Sequence, residues 1–389
     1  MTSPLGFQAG AVYAGMKTYG EGKLDVGLLV SDAPCNVAAT FTRNRLRSAS
    51  VDVNLEKIAD GRAQAVVVNA GIANSSTGRR GLDDARLVSE WAANRIGVSA
   101  DEVLVCSTGV IGHFLPMDKM EAGVASVTIS PLGGHDFARA IMTTDTRPKQ
   151  GSVRVGDYTI GGCAKGAGMI HPNMATMLAF LTTDAPVERS FLQSALSAAV
   201  EKSFNLVSID GDTSPSDTAL LFANGQGGGD EIAANSPLAA EFAAALEALC
   251  VHLAKEMARD GEGATKLLEV AVTGAASDAE AHQLIREMTT SYLLKSAVHG
   301  ADPNWGRIVA VIGRSSVRIA EPAVTVTVCG QRVFEDTRPT EFDPEAVARA
   351  MRGDTVTIEV HLGVGTGAAT GWGCDLSAEY VHINADYHT

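Results

Sequence analysis

The stretch from Lys165 to Leu178 reads Lys-Gly-Ala-Gly-Met-Ile-His-Pro-Asn-Met-Ala-Thr-Met-Leu, and its residue types are suited to chemistry. A glycine-rich, basic approach runs into Pro172-Asn173, a pair that favours a turn because proline fixes its φ and asparagine tolerates unusual backbone angles. Thr176 then heads Met177-Leu178-Ala179-Phe180-Leu181, short and apolar enough for a buried strand. A hydroxyl at the mouth of a buried strand, approached by flexible glycines, is a place for a nucleophile. A threonine opening a strand also has a plainer reading, β-propensity alone.

The elements around this stretch read as a layered α/β chain. Ala65-Val66-Val67-Val68 predicts a buried strand entering the glycine turn at Asn69-Ala70-Gly71. From Leu82 to Gly97, Ala85, Val88, Ala92 and Ile96 share a helical face, and Gly97 makes a stop. Val103-Leu104-Val105-Cys106 predicts another strand, running into Ser107-Thr108-Gly109. A helix is expected near Glu188 to Phe204, and a clearer one from about Pro237 to Ala258, capped by Asn235 or Ser236. Val324, Val326 and Val328 alternate before a Cys329-Gly330 hairpin turn, and Val356, Ile358, Val360 and Leu362 alternate again. Val381 and Ile383 alternate with His382 and Asn384, which predicts a final strand.

Composition sets the outer limits. A chain of 389 residues can bury a large core in two or three domains. A formal charge of −14 argues against a nucleic-acid binder, which needs clustered Lys and Arg to neutralise phosphates. The six cysteines form no Cys-x-x-Cys pair, so reduced, mostly buried thiols in a cytoplasmic protein are expected, with neither a disulfide framework nor zinc. The nine histidines show no ligand spacing, so no metal and no cofactor are proposed. No signal peptide is visible at the start, and no apolar run approaches the ~20 residues of a membrane span.

The Lys165–Leu178 stretch resembles the self-cleavage site of the ornithine acetyltransferases, the glutamate N-acetyltransferases of arginine biosynthesis. Further stretches match that family: Gly6-Phe7, Phe41-Thr42-Arg43-Asn44, Cys106 to Gly112, Met142 to Thr146, Asp260 to Lys266, His299 to Arg307, and Ile383 to Thr389. The resemblance implies cleavage between Ala175 and Thr176, giving an α chain (1–175) and a β chain (176–389) with a smaller C-terminal α/β subdomain at about 285–389. It implies a layered α/β (α+β) self-processing fold, related to the self-cleaving aminopeptidases, and a heterotetramer of two α and two β chains.

It also implies residue roles. Thr176 is the nucleophile, and Thr108 and Gly109 form the oxyanion hole. Thr143, Lys165, Thr176, Glu262, Asn384 and Thr389 contact substrate, with Thr143 at a strand end. Thr176 would take acetyl from N-acetylornithine and pass it to glutamate, by a ping-pong mechanism. A hydroxyl needs a base beside it to attack, and the new α-amine of Thr176, with an unperturbed pKa of about 7.7–8.0, supplies one. Read without the family, Ser107-Thr108-Gly109 is a turn after a strand, and Lys165 and Glu262 are solvated surface charges. Asn304-Trp305-Gly306-Arg307 reads equally as a recognition element or as internal packing.

The chain departs from the family at Ile72, where asparagine is usual, at Ser76, where cysteine is usual, and at His388, where a small hydroxyl residue is common. These departures bear on substrate choice, and a relative in specialised metabolism is one alternative. An amide hydrolase using the same threonine and a non-enzymatic amino-acid-binding protein are the others. Acetyl-CoA as a second donor stays open.

Overall fold

The computed structural model describes residues 1–17, 22–171 and 177–386. Its strands run β1 (Phe7–Val12), β2 (Val26–Phe41), β3 (Arg62–Ile72), β4 (Val103–Val110), β5 (Lys149–Val155), β6 (Tyr158–Lys165), β7 (Leu178–Thr183), β8 (Val207–Ser208) and β9 (Thr218–Ala223). The second half adds β10 (Leu267–Ala275), β11 (Thr325–Val328), β12 (Gln331–Glu335), β13 (Arg338–Pro339), β14 (Thr355–His361) and β15 (Gly367–Cys374). The helices are α1 (Ala49–Lys57), α2 (Gly78–Ile96), α3 (Met117–Ser126), α4 (Gly134–Ala140), α5 (Arg189–Glu201) and α6 (Ala239–Arg259). They continue with α7 (Asp278–Thr289), α8 (Tyr292–His299), α9 (Trp305–Arg314), α10 (Pro344–Met351) and α11 (Ala378–Ala385).

Two sheets organise this mixed α/β chain. The first has the order β4-β3-β2-β9-β7-β6-β5, with β1 paired to β2. The second has the order β13-β12-β11-β14-β10-β15-β8. Alternation along the strands divides the first sheet's side chains between two cores. In β3, Val66 and Val68 enter the core that holds Phe137 and Phe180, while Ala65 and Val67 pack with Ala85, Val88 and Ala92 of α2. In β7 and β9, Phe180 and Leu220 share that first core. Ala179 and Leu221 instead face Leu192 of α5 and Phe242 of α6. The second sheet packs Val270, Val326 and Ile358 against α7 and α9.

The expected β3, α2 and β4 are present, and Gly97 ends α2 in the left-handed conformation at φ 78°. Three expectations are corrected. The carboxyl-terminal segment is the helix α11, not a strand: four alternating residues specify a period weakly, and the Asp386 N–H closes on His382 O at 3.3 Å. Thr143 sits in the loop between α4 and β5, not at a strand end. The long helix starts at Ala239 after Leu238, because the Ser236 hydroxyl accepts from Ala233 N–H and donates to Glu231 O instead of capping. Trp305 stacks on Phe334, ring centroids 5.5 Å apart, and Arg307 donates to Leu293 O, so this segment serves packing. All six cysteines are free, and all but Cys329 are buried. Among the described residues, no helix is long and apolar enough to cross a membrane.

Candidate active site

Thr108, Gly109, Thr143, Lys165, Glu262 and Asn384 line one cavity of about 120 Å³. They arrive from the ends of β4 and β6, the α4–β5 loop, the turn after α6, and α11. The remaining residues of the expected site, Ala175, Thr176 and Thr389, lie outside the described residues, as do the Pro172-Asn173 turn and His388.

The segments on either side of residues 172–176 are firmly held. Upstream, Asp210 accepts from Met169 N–H at 2.6 Å and Ile170 N–H at 3.0 Å. Ile209 N–H donates to Ile170 O at 2.8 Å, and His171 Nδ1 lies 3.1 Å from Ser208 Oγ. Met169 is held at φ 54°, uncommon for a residue with a side chain. Downstream, Thr218 N–H donates to Met177 O at 2.9 Å, and Leu178 pairs with both Lys165 and Thr218. Met177, the first described residue after this segment, is therefore anchored at the start of a central strand.

Thr108 and Lys165 meet directly. Both are buried, and Lys165 Nζ donates to Thr108 Oγ1 at 3.2 Å. Gly109 follows in a conformation open to glycine, at φ 128°, and a Cβ there would lie 2.2 Å from the Gly71 carbonyl carbon. Close pairing of β3 with β4 therefore requires glycine at this position. Across the cavity, Asn384 Nδ2 donates to Glu262 Oε2 at 2.8 Å, and Glu262 N–H donates to Ala167 O at 2.8 Å.

Burial pulls the Lys165 ammonium below the ordinary lysine range; the carboxylates of Asp145, Asp217 and Glu262 oppose that pull, and Lys149 adds to it. The Asp217 carboxyl is pushed well above the usual carboxylate range by burial, with Lys165 opposing. Burial also raises Asp145, but Lys149 and Lys165 outweigh it and hold this carboxyl below the usual range. When protonated, Lys165 sets a cation against an acidic opposite wall at Glu262, an arrangement that fits a zwitterionic amino acid. A hydroxyl donor stands beside the cation.

Sequence reasoning did not single out Lys149 or Asp217. Asp145 and Asp260 stood inside quoted stretches without a role. Nothing in the local pattern marks Lys149, which reads as one more strand lysine until Asp145 and Asp260 surround it.

Comparison with known proteins follows the same lines. The profile of the ArgJ family matches residues 8–389. The arginine biosynthesis bifunctional protein ArgJ of Dehalococcoides mccartyi (strain CBDB1) is 46% identical over 393 residues, spanning 100% of this chain and 97% of its own. The protein of the same name from Deinococcus radiodurans is 47% identical over 392 residues, spanning 100% and 98%. The crystal structure of arginine biosynthesis bifunctional protein argJ from Bacillus halodurans is 42% identical with a TM-score of 0.53, and covers 54% of this chain and 99% of that chain.

Proposed function

This chain belongs to the ArgJ family, and from that premise we propose that it cuts itself before Thr176 and moves acetyl from N-acetylornithine to glutamate through an acetyl-Thr176 intermediate. It is an acyltransferase of arginine biosynthesis. The observation that carries the finer reading is the convergence of Thr108, Gly109, Thr143, Lys165, Glu262 and Asn384 on one cavity. Gly168 and Met169, upstream of the expected cleavage point, line the same cavity.

In the cut, Thr176 Oγ attacks the Ala175 carbonyl carbon, the peptide C–N bond breaks, and the hydroxyl proton passes to the nitrogen. Water then cleaves the resulting ester, leaving a carboxylate on Ala175 and an amine on Thr176. That amine takes the hydroxyl proton when Thr176 attacks the donor's acetyl carbonyl. The developing oxyanion is met by the Thr108 hydroxyl and the Gly109 N–H; one such donor is typically worth about 10²–10³ in rate. Ornithine leaves, and the amine of glutamate takes the acetyl group. Lys165 and Glu262 hold opposite charges of the substrate, with Thr143, Asn384 and Thr389 completing its contacts.

The extent of the solved relative supports the cut. Nearly all of that chain matches 54% of this one, whereas full-length relatives are spanned almost entirely. The fragment 176–389 is 214 of 389 residues, about the same share. Two α and two β chains form the proposed assembly, with a C-terminal subdomain at about 285–389.

Intact-mass measurement tests the reading. The protein should appear as fragments 1–175 and 176–389, and N-acetylornithine alone should add one acetyl group to the second. Glutamate should remove it as acetylglutamate, whereas an amide hydrolase would release free acetate. Thr176→Ala should leave one chain of 40.4 kDa. A cut that survives this substitution defeats the mechanism. The relatives' name is bifunctional, and acetyl-CoA belongs in the same assay as second donor.

A further inference from the structure

One buried ionic chain ties together the segments that carry Thr143, Lys165 and Glu262. Asp145 accepts from Thr143 N–H at 3.0 Å, from Gly166 N–H at 2.7 Å and from Lys149 Nζ at 2.5 Å. Lys149 Nζ also donates to Asp260 at 2.6 Å, and Asp260 accepts from Thr146 N–H at 3.1 Å. The side chains of Asp145 and Lys149 are both 0% exposed. Gly166 adjoins Lys165, and Asp260 stands two residues before Glu262.

With Lys165 in its ammonium form, its contact with Thr108 has a fixed direction. An ammonium has only hydrogens to offer, so the Thr108 oxygen accepts and its own proton stays free for another partner. That is the state a donor to an oxyanion needs.

We propose that Asp145 and Lys149 are positioning residues for acyl transfer: their buried pair fixes the strand end that carries Lys165, and their opposed charges, Asp145 for and Lys149 against, balance the cation that turns the Thr108 hydroxyl toward the reacting oxygen. The inference rests on the acetyl-transfer reading and gives a role to charges that reading leaves unused. Asp145 favours the cationic form of Lys165, and Lys149 disfavours it. Asp217 at the start of β9 and Glu262 after α6 also favour the cation, while Lys17 repels it. Burial opposes the cation throughout. The cation is present below its titration and lost as pH rises through it, so Lys165 governs the basic limb of transfer.

The test compares acetyl transfer from N-acetylornithine to glutamate against pH for the wild type, Asp145→Asn and Lys149→Met. Asp145→Asn should move the basic limb to lower pH and Lys149→Met should move it to higher pH, each by about one pH unit, the low end for a nearby charge. A merely structural role lowers activity without opposite displacements. Limbs that stay in place, or move the same way, overturn the proposal.

Removing one partner of a buried pair is destabilising, so a second variant guards against loss of folding. Asp145→Asn, Lys149→Gln and Asp260→Asn together leave none of these charges unpaired. In that variant the ¹⁵N signal of Lys165 Nζ should titrate at lower pH than in the wild type, since the larger influence, Asp145, is lost. An unchanged titration overturns the proposal. This measurement needs no substrate, so it decides the inference even if the wild type transfers no acetyl group, an outcome that would defeat the acetyl-transfer reading instead.

Discussion

Gly168 shows how closely single residues are fitted here. A Cβ at this position would lie 2.3–2.5 Å from the Glu262 carboxyl group, so any side chain there makes that carboxyl shift. The obstacle is the end of a flexible side chain, not backbone, so Gly168→Ala should fold normally while displacing the acidic wall. A hydrogen bond to a charged group is worth about 1.5–3 kcal/mol, so the Michaelis constant for N-acetylornithine should rise roughly 10- to 100-fold. Steady-state kinetics alongside a thermal melt checks this, and an unchanged Michaelis constant would remove Glu262 from substrate binding. Lys165, Thr108 and Glu262 were named as site residues only through the family resemblance, and the structure brings all three to one cavity. Lys149 was not named, because its role exists only once Asp145 and Asp260 fold around it.

At the scale of elements, α11 makes its contribution almost without packing. None of its residues is buried, yet it carries Asn384 onto Glu262. Deleting residues 378–389 should therefore change stability by about 1 kcal/mol or less, in keeping with surface positions. Self-cleavage should persist, while acetyl transfer falls at least about tenfold through loss of the Asn384 contact. Mass spectrometry, calorimetry and a transfer assay on one preparation separate these effects; a truncated enzyme with full activity would detach α11 from the site. The strand expected here failed for a physical reason. Four residues of alternation carry less information than local helical hydrogen bonding, and Asn384 Nδ2 also bonds back to Tyr380 O at 3.0 Å.

At the scale of the whole molecule, the strand order bears on what a cut would do. β7 and β9, which follow residue 176, lie between β2 on one side and β6 on the other. β6 pairs with β7 from Ile160 to Lys165, and β2 pairs with β9 from Asn36 to Phe41. The two fragments would thus share one sheet and its cores, with no disulfide between them. After cleavage they should co-elute in size-exclusion chromatography under reducing conditions and part only in denaturant. Fragments that separate in native buffer would contradict the shared sheet.

By itself, the sequence determined which segments are strands and helices wherever the apolar pattern is long, as in β3, α2 and β14, because periodicity is a local consequence of backbone geometry. It also determined the family, through motifs spread along the chain, and hence which residues to seek at the site. Tertiary structure alone decided that residues as distant as Thr108 and Asn384 line one cavity. It decided too that Asp145, Lys149 and Asp260 become a buried chain of charges, and that β7 and β9 enter the middle of a sheet begun by β1 to β6. Charge interactions and strand order depend on distances between segments far apart in the chain, and no local pattern encodes those distances.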